Sequence, residues 1–275
     1  MEWTFIADPA EFPAAAEEWL LRDPVANTIA LTTLARVRRG LWRDQVILGW
    51  LAATDVPDGL DVRGVVMHTP PNPVLLCDVP LESIPPLAEA LRPRAIPSVF
   101  GRVEQVDAFA KIWEATPVRR MDERLYRLGT LVEPSGDGHA RRARSSEFGL
   151  LVEWYTDFVA EAGLPGRETS PGDLLKLRMD QNELVVWESE GEIVSLAGFS
   201  TPVDGMSRIG PVYTPPGHRR RGYGSAVTHA ATVAARQAGA AEVVLFTDLA
   251  NPTSNSIYQA LGYRPVSDYA TVYYT

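Results

Sequence analysis

Tyr213 to Ser225 reads Tyr-Thr-Pro-Pro-Gly-His-Arg-Arg-Arg-Gly-Tyr-Gly-Ser and constrains the fold more than any other stretch of the chain. Met206 to Tyr213 before it has the composition of a strand. After it, Val227, Ala230, Ala231, Ala234 and Ala238 recur at helical spacing, with Gly239 placed to end the helix. A strand must therefore pass through four basic-type residues, His218 to Arg221, straight into a helix. Unbonded N–H groups at a helix start, reinforced by the helix dipole, attract an anion, and glycine lets a phosphate come close. Three phosphate patterns compete here. Gly217 and Gly222 have P-loop spacing, but Tyr223 and Gly224 stand where lysine and Ser/Thr are needed. A dinucleotide fingerprint lacks its third glycine, since Val227 occupies that place. What remains is basic-x-x-Gly-x-Gly, Arg219 to Gly224.

The rest of the chain sets the scale. At 275 residues with 45% hydrophobic content, there is material for two ordinary cores. Glu133-Pro134-Ser135-Gly136-Asp137-Gly138 replaces periodic apolar residues with turn formers and predicts a linker. The expected domains are 1–132 and 139–275. Both halves mix strands and helices in a similar order, which implies an α/β (α+β) mixed sheet covered by helices. The first half should hold a helix capped by Asp8 with Pro9 at its first position, and a strand over Arg124 to Val132. The second should hold a long helix over Ser146 to Ala162 and a final strand pair over Pro265 to Tyr274. A net charge of −9 argues against a nucleic-acid surface. Cys77 is the single cysteine, so neither an intrachain disulfide nor a cysteine metal cluster is possible. His68, His139 and His229 share no ligand spacing, and no metal site is expected. No apolar run reaches the ~18 residues of a membrane span, and the N-terminus lacks a signal-peptide pattern, so residence in the cytoplasm is expected.

A second motif follows, Asn251-Pro252-Thr253-Ser254-Asn255-Ser256-Ile257-Tyr258-Gln259-Ala260-Leu261-Gly262-Tyr263. Asn251 before Pro252 reads as a helix N-cap, and Gly262 closes the helix. Asn251, Ser254, Asn255 and Tyr258 share one face, and Ile257 and Leu261 another.

Together the two motifs resemble the GNAT superfamily of acyl-CoA-dependent N-acetyltransferases. The likeness is specific from about Ile209 to Val266, and closest to a bacterial branch with Val-Tyr-Thr-Pro-Pro before the basic loop and Phe-Thr-Asp-Leu-Ala-Asn-Pro-Thr-Ser-Asn before the tyrosine. Elsewhere it rests on element order and implies a tandem of GNAT-like domains. The C-terminal domain would be the intact one. The first half's equivalent loop, Asp78 to Ser83, is acidic and lacks glycine, so the first half would be a degenerate copy that shapes the acceptor pocket.

The resemblance implies that backbone amides along Arg219, Arg220, Arg221, Gly222, Tyr223, Gly224 and Ser225 hold the CoA pyrophosphate. Val212, Tyr213 and Thr214 would line the pantetheine arm, with Asn251 and Asn255 beside it. Tyr258 would be the acid that protonates the departing thiolate. Acetyl-CoA would be the co-substrate and no metal would be needed. The acceptor would be a primary amine on a small molecule or peptide, attacking directly, and the protein a monomer or homodimer. Among Glu153, Asp157 and Glu161, spaced four apart on one helix, Glu161 is the preferred general base because it lies near the helix end. A CoA-binding sensor without turnover and a protein that binds ATP or a dinucleotide through the same loop are the alternatives.

Overall fold

The computed structural model describes residues 1–41, 46–53, 59–163 and 171–275. In chain order the first half contains β1 (Glu2–Ile6), α1 (Ala14–Leu21), α2 (Thr28–Arg38), β2 (Ile47–Ala52), β3 (Val62–His68), β4 (Val74–Cys77), α3 (Ile84–Leu91), β5 (Ser98–Arg102), α4 (Val103–Ile112) and β6 (Pro117–Leu128). The second contains β7 (His139–Arg142), α5 (Phe148–Glu161), α6 (Pro171–Asp180), β8 (Leu184–Ser189), β9 (Glu192–Phe199), β10 (Met206–Tyr213), α7 (Tyr223–Gln237), β11 (Glu242–Asp248), α8 (Pro252–Ala260) and β12 (Tyr263–Tyr274). The chain divides into two units. One comprises Met1–Leu125, Asp248–Ala250 and Ser267–Thr275; the other comprises Tyr126–Thr247 and Asn251–Val266.

In the first unit β1 to β4 form an antiparallel meander, and α3 carries the chain over to β5, which runs parallel to β4. The C-terminal part of β12 lies antiparallel to β5, Ala270 opposite Gly101 and Val272 opposite Val99. Val66, Leu76, Val99 and Val272 on one sheet face pack with Leu87 of α3 and Phe109 of α4. The helix expected from Asp8 begins later. Asp8 caps only a short 3-10 turn, Pro9–Glu11, by accepting from the Ala10 amide at 2.9 Å. Pro13 forces Phe12 into extended backbone, and the helix starts beyond it at Ala14.

The second unit repeats the plan. Strands β7 to β10 are antiparallel, and α7 connects β10 to a parallel β11. Side chains alternate along β8 to β10. Val185, Ala197 and Ile209 face α7 and α8, whereas Val186, Leu196 and Tyr213 face α5 and α6. Within α7, Ala226, Val227, Ala231 and Ala235 are buried, while Ala238 is exposed at the helix end instead of joining the apolar face. Thr228 and Thr232, also buried, donate their hydroxyls to carbonyls four residues back at 2.7 and 2.8 Å.

Three expectations are revised. His139–Arg142 is a strand that no apolar alternation announces. It is held by its ladder to β8 and by Arg141, which bonds Glu188 and Glu147 and lowers both carboxyls below their usual range. Strand β6 begins at Pro117 and ends at Leu128, and the expected final strand pair is the single strand β12.

Gly262 joins α8 to β12 at φ +99, and a Cβ there would run into the Thr130 carbonyl oxygen. Its own carbonyl accepts from the Gly129 amide at 3.0 Å. Gly262→Ala combines a left-handed backbone with overpacking against main chain. It should cost about 3 kcal/mol, seen as a lower denaturant midpoint at unchanged m value.

Candidate cofactor and active site

Strand β10 ends at Tyr213, and Pro215 and Pro216 lead into a 3-10 turn over Pro216–His218. The His218 and Arg219 amides close that turn on the Pro215 and Pro216 carbonyls at 2.9 and 3.3 Å. Arg220 at φ +61 and Gly222 at φ +81 are both left-handed, and Gly222 caps α7. That backbone costs glycine little, and it delivers the chain to the helix start. The first amide bonded back into the helix is Ala226, to Gly222 O at 3.0 Å. Among the described residues the amides from Arg220 to Ser225 make no hydrogen bond within the chain. A run of unbonded N–H groups at a helix N-terminus, turned by left-handed residues, is a concave anion site. The Tyr223 ring is buried beneath it, its hydroxyl 3.2 Å from Ser189 Oγ, with the Arg221 guanidinium 5.1 Å from the ring centre.

The strand before the loop diverges from its neighbour. Register with β11 runs from Met206–Glu242 to Ile209–Leu245, while pairing with β9 continues to Tyr213 through a bulge between Ile209 and Val212. Past Ile209 the edge of β10 toward β11 has no ladder partner among the described residues. Ser195 fixes the strand end by donating to Tyr213 O at 2.8 Å, with its oxygen also 2.8 Å from Thr214 Oγ1. Behind the bulge lies a buried ion pair, Arg178 Nη1 3.7 Å from Glu183, which also accepts from the amide and hydroxyl of Thr201. Arg178 donates to Phe199 O at 3.4 Å.

At the end of α5, Glu161 takes two contacts from Arg219 Nη2, at 2.8 and 2.6 Å, and accepts from the Tyr213 hydroxyl at 3.1 Å. Arg219 Nε donates to Thr214 O at 2.8 Å. Burial, then Glu161, raises the Tyr213 phenol above its ordinary value, so it stays a donor at neutral pH.

In α8, Asn251 Oδ1 accepts from the Ser254 amide at 3.0 Å, and Asn255 Nδ2 donates to Asn251 O at 2.8 Å. Tyr126, on β6, donates to Asn255 Oδ1 and accepts from Gln259 Nε2, both at 3.0 Å. Tyr258 is 9% exposed, in one core with Val227, Leu261 and Tyr263. Burial pushes its phenol up to about 12, opposed by a hydrogen bond with Ser254. The two motifs meet at Gly224, where a Cβ would lie 3.6 Å from Thr214 Oγ1 and 3.8 Å from Ile257 Cδ1.

Residues 150–263 match the model of the Acetyltransferase (GNAT) family. Over that stretch the chain is similar to the GNAT acetyltransferases. Solved structures extend the likeness in fold along the whole chain. A GNAT-family acetyltransferase from Colwellia psychrerythraea is 11% identical with a TM-score of 0.59, covering all of both chains. A Drosophila protein is 12% identical with a TM-score of 0.70, over 99% of this chain and 98% of its own. A GCN5-related N-acetyltransferase from Sphaerobacter thermophilus is 17% identical with a TM-score of 0.60, over 98% and 94%. No curated protein matches the chain. The fold is mixed α/β with GNAT-like architecture in tandem, each unit carrying a parallel strand pair joined by a helix, β4–α3–β5 and β10–α7–β11.

Within the stretch that matches the family model the structure brings Glu161, Tyr213, Thr214 and Arg219 into one bonded group, and Asn251 and Asn255 into another. No hydrogen bond joins Glu161 to Tyr258. Tyr126 and Ser195 escape sequence reasoning because their partners lie 129 and 18–19 positions away, and Arg178 because nothing local marks its pairing with Glu183 as buried. Among the described residues no group of three His, Cys, Asp or Glu side chains could hold a metal, and no helix is long and apolar enough to cross a membrane. Asn251→Ala removes the cap of α8 and should cost about 1 kcal/mol, while Asn251→Ser should restore most of it. Thermal unfolding of the two variants checks this.

Proposed function

We propose that the chain is an N-acetyltransferase that moves an acetyl group from acetyl-CoA to a primary amine by direct attack. The observation that carries this reading is the run of unbonded amides from Arg220 to Ser225 at the start of α7. They are donors in search of an anion, and the CoA pyrophosphate satisfies several at once. Val212 and Thr214, on the β10 edge that β11 leaves open, line the pantetheine arm, with Tyr213 between them. Amides near Val212 donate to the carbonyl oxygen as negative charge develops on it, the effect that usually dominates acyl transfer. Asn251 and Asn255 hold the start of α8 beside that arm.

Tyr258 donates to the departing sulfur. A thiol titrates near ~8.5, so full proton transfer from a phenol at about 12 runs uphill in the resting site. Its contribution is therefore a hydrogen bond that strengthens as thiolate charge appears. Glu161 serves as base for the acceptor, a small-molecule or peptide amine. Residues 139–275 form the catalytic domain, and residues 1–132 are a degenerate copy. In the first copy Gln105 donates to Val79 O at 2.8 Å, and Arg102 Nε stands 3.7 Å from Asp78, so the loop is filled from within. The protein works without metal in the cytoplasm, as a monomer or homodimer.

A CoA-binding sensor without turnover is the second reading, and the engagement of Glu161 with Arg219 favours it. At a hundred times its dissociation constant, acetyl-CoA should add ~2.7 kcal/mol of stability, a melting shift of about 5–10 °C that ATP and NAD do not reproduce. Thiol release across a panel of primary amines then separates enzyme from sensor. On an accepted amine, Tyr258→Phe should lower kcat about 10²-fold with CoA affinity nearly unchanged. Unchanged turnover would remove Tyr258 from the mechanism.

A further inference from the structure

Arg219 occupies a position between two demands. It is the residue immediately before the free amides, and its own amide is already bonded to Pro216 O at 3.3 Å. Only its side chain can reach an anion in the loop. That side chain is held elsewhere, with Nη2 on both Glu161 oxygens and Nε on Thr214 O. Glu161 is committed as well, since the Tyr213 hydroxyl fills a further acceptor site on Oε1. A carboxylate whose oxygens are already taken by a guanidinium and a phenol is covered against an incoming ammonium. The same arginine therefore covers the acceptor-side carboxylate and the strand-end carbonyl beside which pantetheine would run.

The clasp is built to open. Its side chains are 41% and 46% exposed, and ion pairs in such surroundings contribute ~0–1 kcal/mol. A pyrophosphate seated on the neighbouring amides carries more than one negative charge and offers Arg219 a stronger partner.

We propose that Arg219 is shared between Glu161 and the CoA pyrophosphate: in the free chain it covers Glu161, and when CoA occupies the 220–225 amides it moves to the phosphate and uncovers the carboxylate. This rests on the acetyltransferase reading above and adds an order to it. Arrival of the cofactor readies the acceptor side, where the freed Glu161 takes one proton from the acceptor ammonium and leaves a neutral amine.

The test is titration calorimetry of the full chain with CoA, at one fixed ionic strength. Glu161→Gln removes the competitor for Arg219, and CoA should bind about threefold to fivefold tighter, the scale of an exposed ion pair. In an Arg219→Gln background the same change should have no effect, because nothing is left to release. Asp157→Asn removes a neighbouring charge from the same helix without touching Arg219, and should tighten binding clearly less than Glu161→Gln. Equal or weaker CoA affinity in Glu161→Gln overturns the proposal. So does equal tightening in Asp157→Asn, which would mean that net charge alone matters, and so does tightening that survives in Arg219→Gln. A wild-type chain that binds no CoA removes the acetyltransferase reading itself, and this proposal with it.

Discussion

A backbone N–H without a partner is costly when buried and useful when open, and the second unit is organised around where β10 releases its neighbour. From Met206 to Ile209 the strand is laddered to β11; from Ile209 to Tyr213, past the bulge, its described ladder is to β9. The released edge, the bulge and the left-handed turn through Arg220 and Gly222 turn a sheet strand into a cradle of free donors. Three further features border that departure. Ser195 holds the strand end, the Arg178–Glu183 pair sits behind the bulge, and Ala231 and Ala235 seat α7 on the sheet.

Charge is distributed to match. The body is acidic at −9, yet the loop contributes three consecutive arginines. They do different work. Arg219 is bonded to Glu161 and Thr214 O, and Arg221 lies over the Tyr223 ring. Within the basic cluster Arg219 and Arg221 therefore have separate partners, and the backbone supplies the unspent donors. Arginine suits this role because its planar fork can engage a carboxylate and a carbonyl at once.

The tyrosine of the second motif shows how context alters a reading. On a helical wheel Tyr258 shares its face with Asn251, Ser254 and Asn255, which suggests a polar stripe. In the fold it is 9% exposed among Val227, Leu261 and Tyr263, and its phenol is raised to about 12. Helical periodicity says which residues share a face; it cannot say how deeply that face is covered.

Punctuation and motifs were legible along the chain. Proline and glycine placed the loop before α7 and both ends of α8, apolar spacing marked α7, and the signature from Arg219 to Gly224 pointed to pyrophosphate. These are local effects, set by dihedral preference and by N–H groups left unbonded at a helix start. Local cues misplaced the start of α1, where Pro13 overrode Asp8 and Pro9, and missed β7, whose residues alternate no apolar side chains. That Tyr126 bonds Asn255, that Ser195 braces Thr214 and that Glu161 clasps Arg219 follows from the three-dimensional packing. Those contacts join residues 19, 58 and 129 positions apart. They exist because sheet register and helix packing bring distant side chains within reach, and no periodicity along the chain encodes that.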